Sequence, residues 1–227
     1  MTRFLAYLLG LLDLSVPQHC AGCAAAGHAC CGRCRAEFGG PLPVRRAAMA
    51  TGPPAYALAE YRGAPRHLVL AYKERGRHEL APVLGAMLAG VLPWLPGARP
   101  AGDGTWHVVP APSRPAAIRR RGGEHMARLA RCCAADLARQ GLPAAVAPAL
   151  RLAAGVRDSV GLTAHQRAVN LAGRVRPRRA GLPAPGTPVV LIDDVVTTGA
   201  TAAACTRALA DAGLVVTAVL ALTRAGA

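Results

Sequence analysis

The stretch that most constrains the fold runs from Val189 to Thr201 and joins an apolar segment, two carboxylates and a hydroxyl-rich turn. Its first four residues are apolar and mostly β-branched, which predicts a buried strand that ends at Asp193 and Asp194. The alanine-rich segment 200–212 predicts a helix directly after the turn. In open α/β sheets, ligands bind beyond the carboxyl ends of the strands. The sequence therefore predicts a ligand site at this turn.

The residue types in the turn suit a phosphorylated sugar. Free N–H groups at a helix N-terminus attract an anion, usually a phosphate. Three threonines add hydroxyl donors, and a glycine allows close approach of the backbone. The two carboxylates suit ribose hydroxyls, or a Mg²⁺ ion that a pyrophosphate already holds. We therefore expect phosphoribosyl pyrophosphate with Mg²⁺ as the ligand. The predicted contacts are Asp193, Asp194, Val195, Val196, Thr197, Thr198, Gly199, Ala200 and Thr201.

A nucleotide P-loop does not account for this stretch, because the pattern G-x-x-x-x-G-K-[ST] does not occur in the chain. A strand–helix unit in which a carboxylate only caps the helix remains an alternative. A cap accounts for one carboxylate and leaves the rest of the string without a role.

A second strand end is expected to bind the pyrophosphate. The apolar segment 106–109 predicts a short strand, and a tight loop and a run of arginines follow it. Guanidinium groups match the charge and shape of a pyrophosphate. The predicted loop comprises Ala111, Pro112, Ser113 and Arg114, with Lys73 and Arg121 as additional contacts. The alternatives are a solvated basic helix face and a solvated lysine.

Two C-x-x-C pairs, separated by seven residues, lie near the N-terminus. Four thiolates in such an arrangement can close a tetrahedral Zn²⁺ site on a loop that is too small to fold alone. The predicted ligands are Cys20, Cys23, Cys31 and Cys34. Cys30 and His28 lie beside the second pair, and either could replace Cys31. Disulfides and a redox-active pair are the alternatives.

The length of 227 residues allows one core with a small appendage. We predict three parts: an N-terminal helix with the cysteine pairs (1–38), a linker rich in glycine and proline (39–54), and a main domain (55–227). Segment 1–16 is apolar but too short to span a bilayer. We expect it to be a docked helix in a cytoplasmic protein without a transmembrane segment, with a secretory signal as the alternative.

The remaining pattern predicts helices and strands in alternation. Strands are expected at 56–61, 106–109 and 215–222, and helices at 67–75, 79–92, 124–140 and 164–171. The polar segment before residue 164 is interpreted as a mobile lid, with an ordinary surface loop as the alternative. These elements together predict an α/β fold.

The chain is strongly basic, with a formal net charge of +15 that comes almost entirely from arginine. Such a balance favours a polyanionic partner. The alternative is a compositional bias that produces a solvated basic surface. Aromatic residues make up only 4% of the chain, which leaves few platforms on which bases could stack.

Several motifs occur in a fixed order along the chain. After the two cysteine pairs come Y-R-G at 61–63, V-P-x-P at 109–112, R-R-R-G at 119–122, Q-R-x-x-N-L at 166–171 and D-D-V-x-T-T-G-A-T at 193–201. In this order the chain resembles the ComF family, competence-associated members of the phosphoribosyltransferase family. The chain departs from the family's R-G-F-N-Q at 121–125, where it has R-G-G-E-H.

The resemblance implies a type I phosphoribosyltransferase-like parallel sheet flanked by helices, with a small N-terminal zinc-binding knuckle. It also implies a link to DNA uptake, and thus partners among competence or DNA-processing proteins. Three functions follow as hypotheses: phosphoribosyl transfer to a nitrogen acceptor, a non-catalytic accessory role that binds single-stranded DNA, and sensing of phosphoribosyl pyrophosphate without turnover.

Overall fold

A six-stranded, mostly parallel sheet forms the centre of the computed structural model, which describes residues 19–113, 115–120, 123–153 and 174–226. The strands in chain order are β1 (Leu42–Pro43), β2 (Ala55–Glu60), β3 (Trp106–Pro110), β4 (Ala144–Val146), β5 (Leu150–Leu152), β6 (Val175–Pro177), β7 (Pro188–Val196) and β8 (Val215–Arg224). The sheet has the spatial order β1-β2-β8-β7-β3-β4, and β5 and β6 form a separate antiparallel pair. All neighbours in the large sheet are parallel except β1 and β2.

Helices cover both faces of this sheet. Within the described residues the helices are α1 (Gly32–Ala36), α2 (Gly63–Glu74), α3 (Ala81–Val91), α4 (Pro115–Arg120), α5 (His125–Arg139) and α6 (Ala200–Asp211). Helices α2, α3 and α5 pack on one face, where Val190 and Ile192 of β7 point. Helix α6 packs on the other face, against Val189 and Leu191. Because side chains alternate along a strand and both faces are covered, β7 and β8 are almost continuously apolar.

The structure confirms the predicted mixed α/β architecture with a mostly parallel sheet flanked by helices. The helices expected at 67–75, 79–92, 124–140 and 200–212 correspond to α2, α3, α5 and α6, although α2 begins four residues earlier, at Gly63. Gly63 has a φ of +54°, a conformation that glycine adopts without strain. The predicted helices at 1–16 and 164–171 lie outside the described residues, as do Arg114 and Arg121.

Two local features differ from the sequence expectations. Strand β7 continues past the two carboxylates to Val196, because residues 195–196 still pair with the end of β8. The segment 39–54, expected to lack regular structure, contains β1 and a 3₁₀ turn at Ala47–Met49. Val44 and Met49 are buried in the core on the α6 side of the sheet. The three domain boundaries stay a prediction.

In the part of the chain that the structure describes, no helix combines the length and the apolar character that a membrane crossing requires.

Candidate functional site

The two carboxylates of β7 lie inside the strand and point to opposite faces of the sheet. Asp194 shares its face with Val190 and Ile192, under α2 and α5. Asp193 lies on the α6 face, where its charge adds to the effect of burial in raising the pKa of the Cys205 thiol. Both residues are buried. The pair is therefore split into two environments that behave differently.

Asp194 is held by two donors from separate helices. Lys73 Nζ, in the last turn of α2, donates to Asp194 Oδ1 at 2.9 Å. His125 Nε2, at the first residue of α5, lies 2.9 Å from Asp194 Oδ2. Burial alone would raise the pKa of Asp194, but Lys73 and His125 together hold it well below its usual value. Asp194 is thus a charged, oriented acceptor beneath the carboxyl edge of the sheet.

His125 also connects Asp194 to the predicted pyrophosphate loop. Its Nδ1 lies 3.4 Å from Ser113 Oγ, and the residue is only 3% exposed. The Tyr72 hydroxyl donates to the His125 carbonyl at 2.6 Å, which fixes the start of α5 against α2. Sequence reasoning missed His125 as a site residue. The only available signal was its place in the segment 121–125, where the family motif has a glutamine.

Asp193 has the less favourable surroundings for a negative charge. Its Oδ1 accepts the backbone N–H of Asp194 at 2.8 Å. Burial, with the neighbouring charge of Asp194, raises the pKa of Asp193 from 3.8 to about 7. The pKa values of the two adjacent carboxyls are therefore shifted in opposite directions. Asp194 stays ionised, while Asp193 holds its proton up to near-neutral pH.

The turn between β7 and α6 has the left-handed geometry that requires glycine. Gly199 precedes α6 with a φ of +78°. A Cβ at this position would lie 2.7 Å from Met49 Sδ, so a side chain would require both a strained backbone and a shift of Met49. Thr198 Oγ1 accepts the Ala200 N–H at 3.4 Å. The Thr197 side chain is exposed.

Arg46 holds this turn from the side of the 3₁₀ segment. Its Nε donates to the Thr197 carbonyl at 2.5 Å, and its Nη2 donates to the Ala225 carbonyl. Arg46 thus ties the beginning of the hydroxyl-rich turn to the end of β8. The contact joins residues 151 positions apart in the chain.

A basic cavity of about 410 Å³, the arginine pocket, opens at the carboxyl ends of β2 and β8. It is lined by Pro43, Arg45, Arg46, Glu60, Arg224, Ala225 and Gly226. Arg224 donates through Nε and Nη2 to Glu60 Oε1, at 3.0 Å and 2.6 Å, and through Nη1 to the Pro43 carbonyl. The pocket shares Arg46 with the turn at Thr197.

Among the predicted ligand residues, the structure brings Lys73, Ser113 and Asp194 into one hydrogen-bonded group. The Ala111 N–H continues the ladder between β3 and β7 by donating to the Ile192 carbonyl at 2.9 Å. Val196 and Ala200 are buried, so only their backbone faces the turn. Parallel pairing places the ends of β3, β7 and β8 at one edge of the sheet.

The four predicted cysteines form a separate cluster whose sulfur atoms all lie within 4.8 Å of one another. Cys23 Sγ and Cys31 Sγ are 3.6 Å apart, close to the ~3.8 Å that a tetrahedral site with 2.3 Å Zn–S bonds requires. No disulfide joins any of the eight cysteines in the structure. His28 and Cys30 lie outside the cluster, and Cys30 instead donates to the Cys31 carbonyl. Four cysteine sulfurs could therefore hold a structural metal.

The surroundings of Cys20 favour its thiolate form. Burial raises the pKa of its thiol, but hydrogen bonds from nearby backbone N–H groups lower it to about 6. The N–H of Cys31 makes the largest of these contributions. The Cys31 N–H lies 3.3 Å from Cys20 Sγ. Such backbone donors are the second layer of contacts that orients metal ligands.

The cysteine cluster is docked against α2. Cys20 and Cys34 belong to the same hydrophobic core as Leu68. His67 Nδ1 lies 3.1 Å from the Gly22 carbonyl. A Cβ at Gly22 would meet Cys34 Sγ at 2.8 Å, so only glycine fits at this contact.

No protein-family model matches the chain, and the search of curated proteins finds no significant match. Functional conclusions therefore depend on the chemistry of the described residues.

Proposed function

We propose that this protein is a ComF-like phosphoribosyltransferase, which binds phosphoribosyl pyrophosphate with Mg²⁺ and transfers the phosphoribosyl group to a nitrogen acceptor. One observation carries the proposal. Lys73 and Ser113, predicted from separate parts of the sequence, are both linked to Asp194 beside the turn at Thr197, Lys73 directly and Ser113 through His125. A carboxylate that only capped α6 would need neither Lys73 nor Ser113.

In this proposal the 5-phosphate binds at the turn before α6. The N–H groups of the first turn of a 12-residue helix and the hydroxyls of Thr197 and Thr198 supply the donors. Gly199 lets the phosphate approach the backbone, because no side chain stands there.

The ribose would lie over β7, with the pyrophosphate at the loop that follows the neighbouring strand β3. Each oxygen of Asp194 accepts one donor and retains a second lone pair, which suits a ribose hydroxyl. The loop at Ser113 and the ammonium of Lys73 would face the pyrophosphate, whose negative charge grows as it leaves. His125 would orient the Ser113 hydroxyl from below.

The reaction is a displacement at the ribose C1. The acceptor nitrogen lone pair forms the N–C1 bond while the C1–O bond breaks, and pyrophosphate departs with that electron pair. A proton carried by the nitrogen passes to water.

The carboxylates of β7 bind protein donors, so the proposal has the Mg²⁺ held mainly by pyrophosphate oxygens. When bound, Mg²⁺ neutralises charge on the leaving group. In the cysteine cluster we propose Zn²⁺, which would stabilise the knuckle without taking part in the reaction.

Calorimetric titration of phosphoribosyl pyrophosphate, ribose 5-phosphate and pyrophosphate, each with Mg²⁺, tests the proposal. Wild type should bind all three ligands. Thr198→Val should weaken the binding of phosphoribosyl pyrophosphate and ribose 5-phosphate, which carry a 5-phosphate, and should not change the binding of pyrophosphate. Thr206→Val is a matched control, since the Thr206 hydroxyl is buried on α6 without a hydrogen-bond partner among the described residues. No binding of any of the three ligands to wild type would refute the proposed function.

A release assay separates the enzyme from a sensor. The enzyme should release pyrophosphate when candidate nitrogen acceptors are added, whereas a sensor would bind phosphoribosyl pyrophosphate without release. The net charge of +15 supports a second proposal, that the protein also binds single-stranded DNA through its basic surface.

A further inference from the structure

We propose that the nitrogen acceptor is an acid, and that its carboxylate binds in the arginine pocket. This inference depends on the proposed phosphoribosyl transfer, which leaves the acceptor unspecified. It is carried by the position of the pocket relative to β7 and by the charge that the pocket presents.

The order of the strands places the pocket opposite the leaving group. The pyrophosphate loop follows β3, which pairs with one side of β7, and the pocket lies at the ends of β8 and β2, on the other side. Neighbouring strands are ~4.8 Å apart, so the loop and the pocket bracket a ribose lying over β7. Displacement at C1 requires the entering nitrogen and the leaving oxygen on opposite sides of that carbon. An acceptor seated at the pocket meets this requirement.

The arginine pocket keeps an excess of positive charge. Three guanidinium groups line it, and Glu60 is the only carboxylate among the lining residues. Glu60 is committed to Arg224, and Arg46 donates to backbone carbonyls. The exposed Arg45 guanidinium donates no hydrogen bond to any of the described residues. One unpaired guanidinium fork fits one planar carboxylate.

The size of the pocket and its oriented Arg224 wall also suit a small molecule. Its volume of about 410 Å³ lies in the range of small-ligand sites. Arg224 is fixed by Glu60 and by the Pro43 carbonyl, so that wall is oriented before any ligand arrives. Arg46 joins the pocket to the turn at Thr197, so an acceptor held there stays in register with the 5-phosphate.

Nucleotide products test the inference, because a single molecule spans both the turn and the pocket. We would titrate two matched pairs of nucleotides by calorimetry. The first pair is orotidine 5′-monophosphate and uridine 5′-monophosphate, and the second is nicotinate mononucleotide and nicotinamide mononucleotide. In each pair the first nucleotide carries a carboxylate on its base and the second does not. Wild type should bind the carboxylate-bearing member of at least one pair about tenfold more tightly, as expected for a charge-assisted hydrogen-bonded pair.

Arg45→Gln should abolish that preference while leaving the affinities for the neutral nucleotide and for ribose 5-phosphate unchanged. Arg207→Gln is the matched control, because it removes an exposed arginine from α6, away from the pocket lining, and should keep the preference. Equal affinities within both pairs, or a preference that survives Arg45→Gln, would overturn the inference while the proposed function stands. Failure of ribose 5-phosphate itself to bind would overturn both.

Discussion

Replacing Asp193 by asparagine should stabilise the protein, and more so as the pH rises. In the native state burial and the charge of Asp194 raise the pKa of Asp193 to about 7, against 3.8 for a free carboxyl. Between about pH 4 and pH 7 the folded chain therefore holds a proton that the unfolded chain has released. The wild type loses stability as the pH rises through this window.

The asparagine imitates the protonated acid. Its amide oxygen can still accept the Asp194 N–H, which lies 2.8 Å from Asp193 Oδ1, and its volume is nearly the same. A shift from 3.8 to about 7 corresponds to an upper limit of ~4 kcal/mol at 1.36 kcal/mol for each pKa unit. We expect a gain of ~1–4 kcal/mol at pH 8 and almost no gain near pH 4.

Urea unfolding at several pH values between 4 and 8 measures this gain as the difference between variant and wild type. The pH-dependent contributions of groups that titrate in both proteins, such as histidines and cysteines, cancel in this difference. Asp211→Asn, an exposed carboxylate at the end of α6, is the control and should change little at any pH. Parallel stability profiles for wild type and Asp193→Asn would refute the burial argument, as would a variant that is less stable at pH 8.

Three further predictions concern the knuckle, the turn and the basic surface. Metal analysis of the reduced protein should find about one Zn²⁺ per chain, and Cys34→Ser should remove it and lower the unfolding temperature; folded, zinc-free wild type would contradict this. Gly199→Ala should cost ~1–3 kcal/mol in urea unfolding because of its φ of +78° and the nearby Met49 sulfur. Gly90→Ala, in open space on α3, should instead be neutral or stabilising. Single-stranded DNA binding, followed by fluorescence anisotropy, should be sequence-tolerant and fall at least tenfold between ~50 and ~200 mM salt; salt-independent binding would exclude an electrostatic origin.

The sequence allowed strands β2, β3, β7 and β8, helices α2, α3, α5 and α6, and the cysteine cluster to be predicted, because each has a local signal. Strands β1, β4, β5 and β6 are too short to give a comparable signal and were not predicted. The apolar run before Asp193 and the spacing of the two C-x-x-C pairs are readable within a few residues. Because β7 continues to Val196, Asp193 and Asp194 lie within the strand. Neighbouring residues of a strand face opposite sides of the sheet, so the two carboxylates point to different faces.

Contacts between distant segments had no such signal. The Asp194–His125 contact spans 69 positions, and the contact between Arg46 and Thr197 spans 151. Both depend on which strands become neighbours and on how α5 and the 3₁₀ turn approach the sheet edge. Patterns of apolar residues do not encode these choices. A basic residue within the predicted linker therefore gave no sign that it holds the turn before α6.

Helix α2 connects the cysteine cluster to the carboxyl edge of the sheet. Its first half contacts the knuckle through Ala64 and His67, and its last turn places Lys73 on Asp194. A 12-residue helix is ~18 Å long and stiff over that distance. Because Cys20 and Cys34 share a core with α2, a metal bound by the four cysteines would also fix the helix that positions Lys73. The knuckle is thus part of the scaffold of the site, although it lies at the opposite end of α2.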